Sequence, residues 1–158
     1  MIYLGIDPGI TGAIAVYNGE DNTFFTVIDM PIQERIYGKG NEIDWEKLLE
    51  QLLPYFMEGD ITAVIENVGV MPRQGIVSAF AFGQVVGGLR VACISLGAQI
   101  VYIHPTAWKR KFALIGTDKN TVIEMVKEAY PESSSYLTLK KHHNRADAMA
   151  IAVAGSLL

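Results

Sequence analysis

Two short apolar runs, each ending in an acidic residue, constrain the fold of this chain more than any other feature. Ile2–Asp7 (IYLGID) is followed by the turn pair Pro8-Gly9, and Ile61–Glu66 (ITAVIE) is followed by a polar loop. Apolar runs of this length between turn residues are typical of strands buried inside a sheet. If both strands end at the same edge of that sheet, their terminal carboxylates lie side by side.

The remaining pattern predicts a mixed sheet. Residues 12–17 and 24–30 are rich in β-branched, aromatic and apolar side chains and are separated by turn residues, so with the first strand they form a three-stranded antiparallel meander. Strand and helix signals then alternate, which favours an α/β fold whose five-stranded sheet adds two parallel strands to this meander and is flanked by helices. We expect one domain over residues 1–158. A further strand is predicted at 99–103, helices at 45–56, 74–92, 105–112, 118–130 and in the last apolar segment up to 158, and a mobile loop at 31–43.

A third acid, Asp147, lies within the apolar segment RADAMAIA near the end of the chain. A carboxylate near a hydrophobic core needs a partner, and a divalent cation can serve several carboxylates at once. Oxygen ligands without a cysteine pair favour Mg²⁺ or Mn²⁺ over zinc. Each acid alone has an ordinary alternative: Asp7 can open a turn, Glu66 can begin a surface loop, and Asp147 can pair with a basic neighbour. Together they indicate a metal site.

Charge is distributed unevenly along the chain. The net charge is −4 and the pI is near 5.3, which argues mildly against nucleic acid as a partner. Residues 1–66, however, hold three basic side chains against twelve acidic ones, whereas residues 67–158 hold ten basic against five acidic. This split suggests a surface for a polyanion in the later part of the chain, although a chance fluctuation in composition would look the same.

Three segments carry a resemblance to a known family. GIDPGITGAIAV, AVIEN and HHNRADAMAIA resemble, in this order and over nearly the whole length, the RuvC family of Holliday junction resolvases, and most of all its compact phage-encoded members. The resemblance implies a ribonuclease H-like fold and a homodimer with no organic cofactor. It also implies two Mg²⁺ (or Mn²⁺) ions in each active site, and paired nicks in opposed strands of a four-way DNA junction.

The resemblance also assigns roles to single residues. Asp7, Glu66 and Asp147 match three of the family's metal ligands. The fourth ligand, an Asp or His about one helical turn before the last acid, matches His143, with Asn144 as the competing position; both share a helix face with Asp147. Lys119, in the family's acid-lysine pair at the start of a helix, is expected to contact the scissile phosphate and completes the predicted catalytic set.

Contacts to DNA are expected from the basic later part of the chain. The family's second lysine maps near Lys109, with the alignment loose by one residue. After Glu66 the family often has an aromatic residue, whereas this chain has Gly69, so Val70 and Met71 are candidates to wedge against an unstacked base. Sequence preference at the cut is therefore left open. The predicted DNA-binding residues are Arg73, Lys109, Arg110, Lys111, Lys119, Lys140, Lys141 and Arg145.

The helix at 74–92 is the predicted dimer contact, because its glycines and alanines permit close approach and its apolar residues exceed what one face needs; burial inside the monomer is the alternative. No run of about 18 or more uninterrupted apolar residues occurs, so we expect no membrane-spanning helix. The N-terminus lacks the features of a secretory signal. The single cysteine, Cys93, is expected to be a reduced, buried thiol in a cytoplasmic protein, in the bacterial host if the chain is phage-encoded.

Other functions share parts of this pattern. Asp7-Pro8-Gly9-x-Thr11-Gly12 also resembles the phosphate loop of sugar kinases and actin-like ATPases, but those proteins need two such domains, and 158 residues hold only one. Among nucleases, an enzyme with broader activity on branched DNA or flaps, or one that cuts RNA, is open on the same fold. A noncatalytic binder of DNA structure is a further alternative.

Overall fold

The computed structural model describes residues 1–70 and 73–158. In that part of the chain five strands form one sheet in the order β3-β2-β1-β6-β7. The pairs β1–β2 and β2–β3 are antiparallel, whereas β1–β6 and β6–β7 are parallel. The predicted meander with two added parallel strands is therefore confirmed. The strands are β1 Ile2–Asp7, β2 Ala13–Asn18, β3 Thr23–Asp29, β4 Ile32–Glu34, β5 Asn41–Ile43, β6 Ile61–Glu66 and β7 Gln99–Ile103.

The helices begin where the sequence supplies caps. The Asp44 side chain accepts a hydrogen bond from the Lys47 amide at 3.0 Å, and Asp118 accepts from the amides of Asn120 and Thr121. The second helix begins two residues later and ends three residues later than predicted. The helices are α1 Trp45–Phe56, α2 Ile76–Ser95, α3 Pro105–Lys111, α4 Lys119–Ala129 and α5 His143–Ser156, with short 3₁₀ helices at Pro131–Leu137 and Lys140–His142.

The mobile loop predicted for residues 31–43 is wrong. This segment is a β-hairpin in which Ile32 pairs with Ile43, and Glu34 with Asn41. Gly38 and Gly40 have φ of 90° and 99°, values that favour glycine, and both lie in the turn between the two strands. Most of its residues are exposed. Apart from Ile43, its strands bury no side chain and so show no hydrophobic alternation, which is why the sequence pattern resembled a loop.

The sheet separates two hydrophobic cores. One core lies under α3, α4 and α5, and the other lies under α1 and α2. Helix α5 lies directly against the central strand, because a Cβ at Gly5 would meet the Ala148 carbonyl oxygen at 2.0 Å. A Cβ at Gly155 would likewise meet the Val64 side chain at 2.3 Å. Small residues on both elements thus set the distance between α5 and the sheet.

Helix α2 is only partly covered. Four of its 20 residues are buried, among them Cys93, whose predicted burial is confirmed. The interpretation of this helix as fully buried in the monomer is therefore wrong. With 20 residues and a mean hydropathy of 1.6, the helix is also long and apolar enough to cross a membrane. The expectation of no membrane-spanning helix rested on uninterrupted apolar runs, and Ser78, Gln84 and Arg90 interrupt this one. Its buried side chains nevertheless pack against the sheet of the same chain.

Candidate active site

Strand pairing brings Asp7 and Glu66 to the same edge of the sheet. Strands β1 and β6 are parallel neighbours in register up to Ile6 and Ile65, and each ends at the next residue, which is the acid. Past Asp7 the chain turns tightly, since a Cβ at Gly12 would lie 2.0 Å from the Asp7 carbonyl oxygen. Glu66 is only 9% exposed. Two acidic side chains therefore sit where the two central strands end.

Helix α5 contributes the third acid to this edge. Asp147 immediately precedes Ala148, whose backbone lies against Gly5 of the central strand. Because the helix approaches the sheet this closely, the Asp147 side chain is within electrostatic reach of Glu66 and Asp7. All three predicted core acids thus belong to one neighbourhood, although they are far apart in sequence.

Burial and mutual repulsion act on these carboxylates. Burial, followed by the charges of Glu66 and Asp147, raises the pKa of Asp7 from 3.8 to about 8. Burial also raises the pKa of Asp147 to about 6, and Glu66 adds to this effect. Lys119 and Lys109 oppose the shift in pKa of both aspartates. The site therefore disfavours negative charge unless a cation is nearby.

The donor chemistry of this site fits a divalent metal ion. Three hard carboxylate ligands without cysteine match Mg²⁺ or Mn²⁺, and a cation would offset the burial and the repulsion that together raise the pKa of Asp7. Among the described residues, no three His, Cys, Asp or Glu side chains lie close enough together to form a complete metal shell as they stand. The carboxylates are therefore electrostatic neighbours at one sheet edge rather than a closed cage.

The two candidates for a fourth ligand have different surroundings. His143, the first residue of α5, has its Nε2 atom 3.5 Å from the Lys119 ammonium. Asn144 donates its side-chain N–H to the Thr11 carbonyl oxygen at 2.5 Å, in the loop that follows Asp7. Asn144 therefore ties α5 to that loop, while His143 lies beside a lysine that acts electrostatically on both aspartates. The choice of His143 over Asn144 as the fourth ligand stays a prediction.

The basic run 109–111 is not one cluster. Successive helix residues point about 100° apart, so its members face in different directions. The Lys109 ammonium lies 5.2 Å from the centre of the Trp108 ring and acts on Asp7 and Asp147. Arg110 is exposed, and the Lys111 ammonium donates to the Leu157 carbonyl oxygen at 3.2 Å. Lys109 thus belongs to the carboxylate site, whereas Lys111 ties α3 to the C-terminal end.

The second predicted basic cluster also divides. Lys140 and Lys141 are exposed in a 3₁₀ helix. Arg145 instead donates two hydrogen bonds of 2.6 Å to Asp29 and a third, of 3.0 Å, to the Tyr136 carbonyl oxygen. These bonds hold the pKa of Asp29 below its usual value. Arg145 therefore anchors α5 to β3, and the engagement of its guanidinium by protein acceptors argues against the predicted phosphate contact.

The segment after Glu66 is described in part. Val70 is exposed, and Met71, the other predicted wedge residue, lies outside the described residues. Arg73 is exposed and has a φ of 69°. Beside this segment a groove of about 920 Å³ is lined by the loop after Asp7, the β4–β5 hairpin and the first half of α2. The predicted wedge thus stays a prediction for Val70.

Solved structures of other proteins share this fold. RuvC of Thermus thermophilus in complex with a Holliday junction substrate matches with a TM-score of 0.63 at 21% identity, over 98% of this chain and 91% of that one. Another structure of T. thermophilus RuvC gives a TM-score of 0.54 at 19% identity, over 98% and 92%. The fowlpox virus Holliday junction resolvase gives 0.59 at 15% identity, over 99% of each chain.

The fold is the ribonuclease H-like fold of RuvC-type resolvases. No protein-family model matches the sequence, and no curated protein matches it. Identities of 15–21% show a shared fold and leave the activity of this chain to its own residues.

Two contacts of the site were not predicted from the sequence. Trp108 is fully buried and donates its indole N–H to Glu66 Oε1 at 2.7 Å. Thr11 accepts the hydrogen bond from Asn144 through its backbone. A tryptophan in a helix that packs on a sheet carries one signal, because its N–H must find a partner when it is buried. A backbone acceptor carries no sequence signal at all.

Proposed function

We propose that this chain is a metal-dependent endonuclease that resolves four-way DNA junctions, a crossover junction endodeoxyribonuclease. The observation that carries the proposal is the meeting of Asp7, Glu66 and Asp147 at one edge of a ribonuclease H-like sheet, with two lysines acting on Asp7 and Asp147. Carboxylates so placed are suited to hold cations against a phosphodiester. The shared fold with resolvases supports the substrate class.

Each carboxylate has a distinct part in this proposal. Two divalent ions, when bound, would activate a water and stabilise the leaving 3′ oxygen. Asp7, at the end of the central strand, would hold these ions together with Glu66, Asp147 and His143. Burial restricts water around Glu66 and strengthens electrostatic interactions there. The carboxylates would bind and orient these ions.

The two lysines are suited to hold the substrate phosphate. Lys119 stands at the start of α4 next to its cap, Asp118, and near His143. Lys109, on α3, acts electrostatically on Asp7 and Asp147. Positive charge directed at a site of phosphoryl chemistry stabilises the charge that develops in the transition state. Lys119 is therefore the proposed contact to the scissile phosphate, and Lys109 the second cation of the site.

A homodimer is proposed through the outer face of α2. Ile76 is 88% exposed and Phe80 is 69% exposed, and Val91 and Ile94 lie on the same face. Gly83 and Gly87 between them face open space, so another helix can approach closely. Contiguous apolar surface of this kind on a chain that packs its other helix faces indicates a protein partner. A second copy would supply the second active site that paired nicks in opposed strands require.

The proposed DNA surface uses the exposed basic residues near the site. Lys140, Lys141, Arg110 and Arg73 are exposed. Contacts between such residues and phosphates position DNA and depend strongly on salt, with log K changing by about 0.9 for each neutralised phosphate. We expect this enzyme to act on DNA in the cytoplasm.

Cleavage of a mobile four-way junction with Mg²⁺ or Mn²⁺ tests the proposal. Linear duplex, flap and RNA–DNA hybrid serve as competing substrates, and Asp7→Asn serves as the inactive control. We expect symmetric nicks confined to the junction and absent in the variant. Equal cutting of flaps or hybrids would retain the metal site and replace the substrate with branched nucleic acid in general. Tight junction binding without any cutting would leave a noncatalytic binder.

A further inference from the structure

The indole of Trp108 makes a polar contact inside the core. Trp108 is fully buried, and its Nε1–H donates to Glu66 Oε1 at 2.7 Å. Because Glu66 is itself only 9% exposed, this bond lies in a region with little water. Hydrogen bonds to an ionised acceptor are stronger than those between neutral groups, and low dielectric strengthens them further.

The fold brings these two residues together across neighbouring strands. Glu66 ends β6 and pairs with Ile103, the last residue of β7. Helix α3 begins at Pro105 directly after β7, with His104 as its cap, so Trp108 lies one turn into a helix that starts beside Glu66. The Asn67 amide donates to the Ile103 carbonyl oxygen at 2.8 Å and fixes the two strand ends. The indole is therefore held on a rigid element.

We propose that Trp108 is a positioning residue for Glu66. Its N–H occupies Oε1 and fixes the orientation of the carboxylate, so that Oε2 is the atom presented to a divalent cation. This inference rests on the proposed function, in which Glu66 is a ligand, and extends it to a residue with no ligand atom of its own. Groups that orient metal ligands in this way typically change metal affinity by about 10- to 100-fold when they are removed.

A purely structural role makes a different prediction. Trp108 also fills volume in the core beneath α3 and α5, so replacing it lowers stability in either case. Trp108→Phe keeps an aromatic ring and removes the N–H. If the indole only fills space, this change lowers the melting temperature and leaves the affinity for metal unchanged. If it positions Glu66, metal affinity falls, and the loss depends on the Glu66 carboxylate.

Calorimetric titration of the full chain with Mn²⁺ separates these roles. We expect Trp108→Phe to weaken Mn²⁺ binding by about 10-fold or more, and we expect no further loss from it in a Glu66→Gln background. Trp45→Phe is the matched control, because Trp45 is the other tryptophan of the chain and packs against Gly88 on the opposite side of the sheet. Unchanged affinity in Trp108→Phe, or an equal loss in Trp45→Phe, would overturn the inference.

A measurement on the wild-type chain needs no destabilised variant. The two tryptophans give two indole N–H resonances in an NMR spectrum, and Trp45→Phe assigns them. We expect the Trp108 resonance to lie downfield and to move when Mg²⁺ is added, while the Trp45 resonance stays in place. Metal binding without any response of the Trp108 resonance would overturn the inference alone. No binding of Mg²⁺ or Mn²⁺ by the wild type would overturn the proposed metal site, and the inference with it.

Discussion

Helices α5 and α2 pack on opposite faces of the sheet and differ in how much of their surface they leave exposed. Eight of the 14 residues of α5 are buried, and its alanines lie against the central strand. Only four of the 20 residues of α2 are buried, and its outer face is apolar. Helix α5 is thus packed tightly against the sheet and holds Asp147 near the other acids. Helix α2 instead offers an exposed surface for a partner. The α5 side of the sheet therefore carries the proposed chemistry, and the α2 side carries the proposed dimer contact.

The largest expected effect concerns Asp7 in the carboxylate site. Asp7→Asn should reduce cleavage of a four-way junction by about a thousand-fold or more, the upper range for losing one preorganised electrostatic group. The substitution keeps the shape of the side chain and removes the charge that holds cations. Junction binding, measured by gel shift in Ca²⁺, should stay within about threefold because the basic residues are untouched. Loss of both cleavage and binding in a folded variant would contradict this separation.

A substitution on the exposed face of α2 should instead affect self-association. Phe80→Arg should weaken self-association by about tenfold or more, since 1.4 kcal/mol suffices for that change. Phe80 is exposed, so the monomer should keep its fold. Sedimentation at micromolar concentration measures the effect. Leu53→Arg on α1, which is 50% exposed, adds the same charge outside the α2 face and should leave the dimer intact. A wild-type chain that sediments as a monomer would refute the dimer.

The pH dependence of stability sharpens the description of the carboxylate site. The pKa of Asp7 is raised from 3.8 to about 8, so folding takes up a proton between these values and metal-free stability is lost as pH rises from about 4 to about 8. At pH 8 in EDTA, Asp7→Asn should therefore melt a few degrees higher than the wild type, since about 1 kcal/mol shifts the melting temperature by about 2–4 °C in a chain of this size.

Addition of Mg²⁺ at pH 8 should reverse this order, because a cation favours the ionised carboxylates of the wild type. Thermal unfolding at pH 5 provides the control, where Asp7 is protonated in the folded wild type and the two proteins should differ less. A wild type that is most stable at pH 8 without metal would contradict the burial of Asp7 among acids.

The smallest expected effects distinguish the two kinds of basic residue. Lys141→Ala should weaken junction binding and reduce the slope of log K against log salt by about 0.9, the value for one phosphate contact. Arg145→Ala should leave that slope unchanged and lower the melting temperature by about 1–3 °C, because it breaks the ion pair with Asp29. Filter binding across salt concentrations, with melting curves, measures both. A reduced slope in Arg145→Ala would restore it as a phosphate contact.

The five strands of the main sheet, and the acids at the ends of two of them, could be predicted from the sequence because their signals are local. An apolar run that ends in Asp7 or Glu66 predicts both a buried strand and a carboxylate at its end, and parallel pairing then brings the two together. The β4–β5 hairpin was missed because exposed short strands lack a hydrophobic period. The division of 109–111 was missed because composition does not reveal the direction of each side chain on a helix.

Contacts between segments that are distant in sequence could not be predicted from local patterns. Gly5 and Ala148 determine how closely α5 approaches the sheet, yet a glycine in a strand and an alanine in a helix are unremarkable separately. The hydrogen bond from Trp108 to Glu66 joins residues 42 positions apart. Such contacts depend on the packing of elements in three dimensions, and they fix the details that local periodicity leaves open.

The central claim is that two copies of one metal-dependent site cut a junction together, and a supercoiled plasmid that extrudes a cruciform tests it most directly. A first nick relaxes the plasmid and removes the cruciform, so only paired cuts made within one binding event give linear DNA. The wild-type chain with Mg²⁺ should give mainly linear product, and mixtures with Asp7→Asn should shift the product to nicked circles. Nicked circles alone from the wild type, or linear product that persists in the mixtures, would contradict the claim.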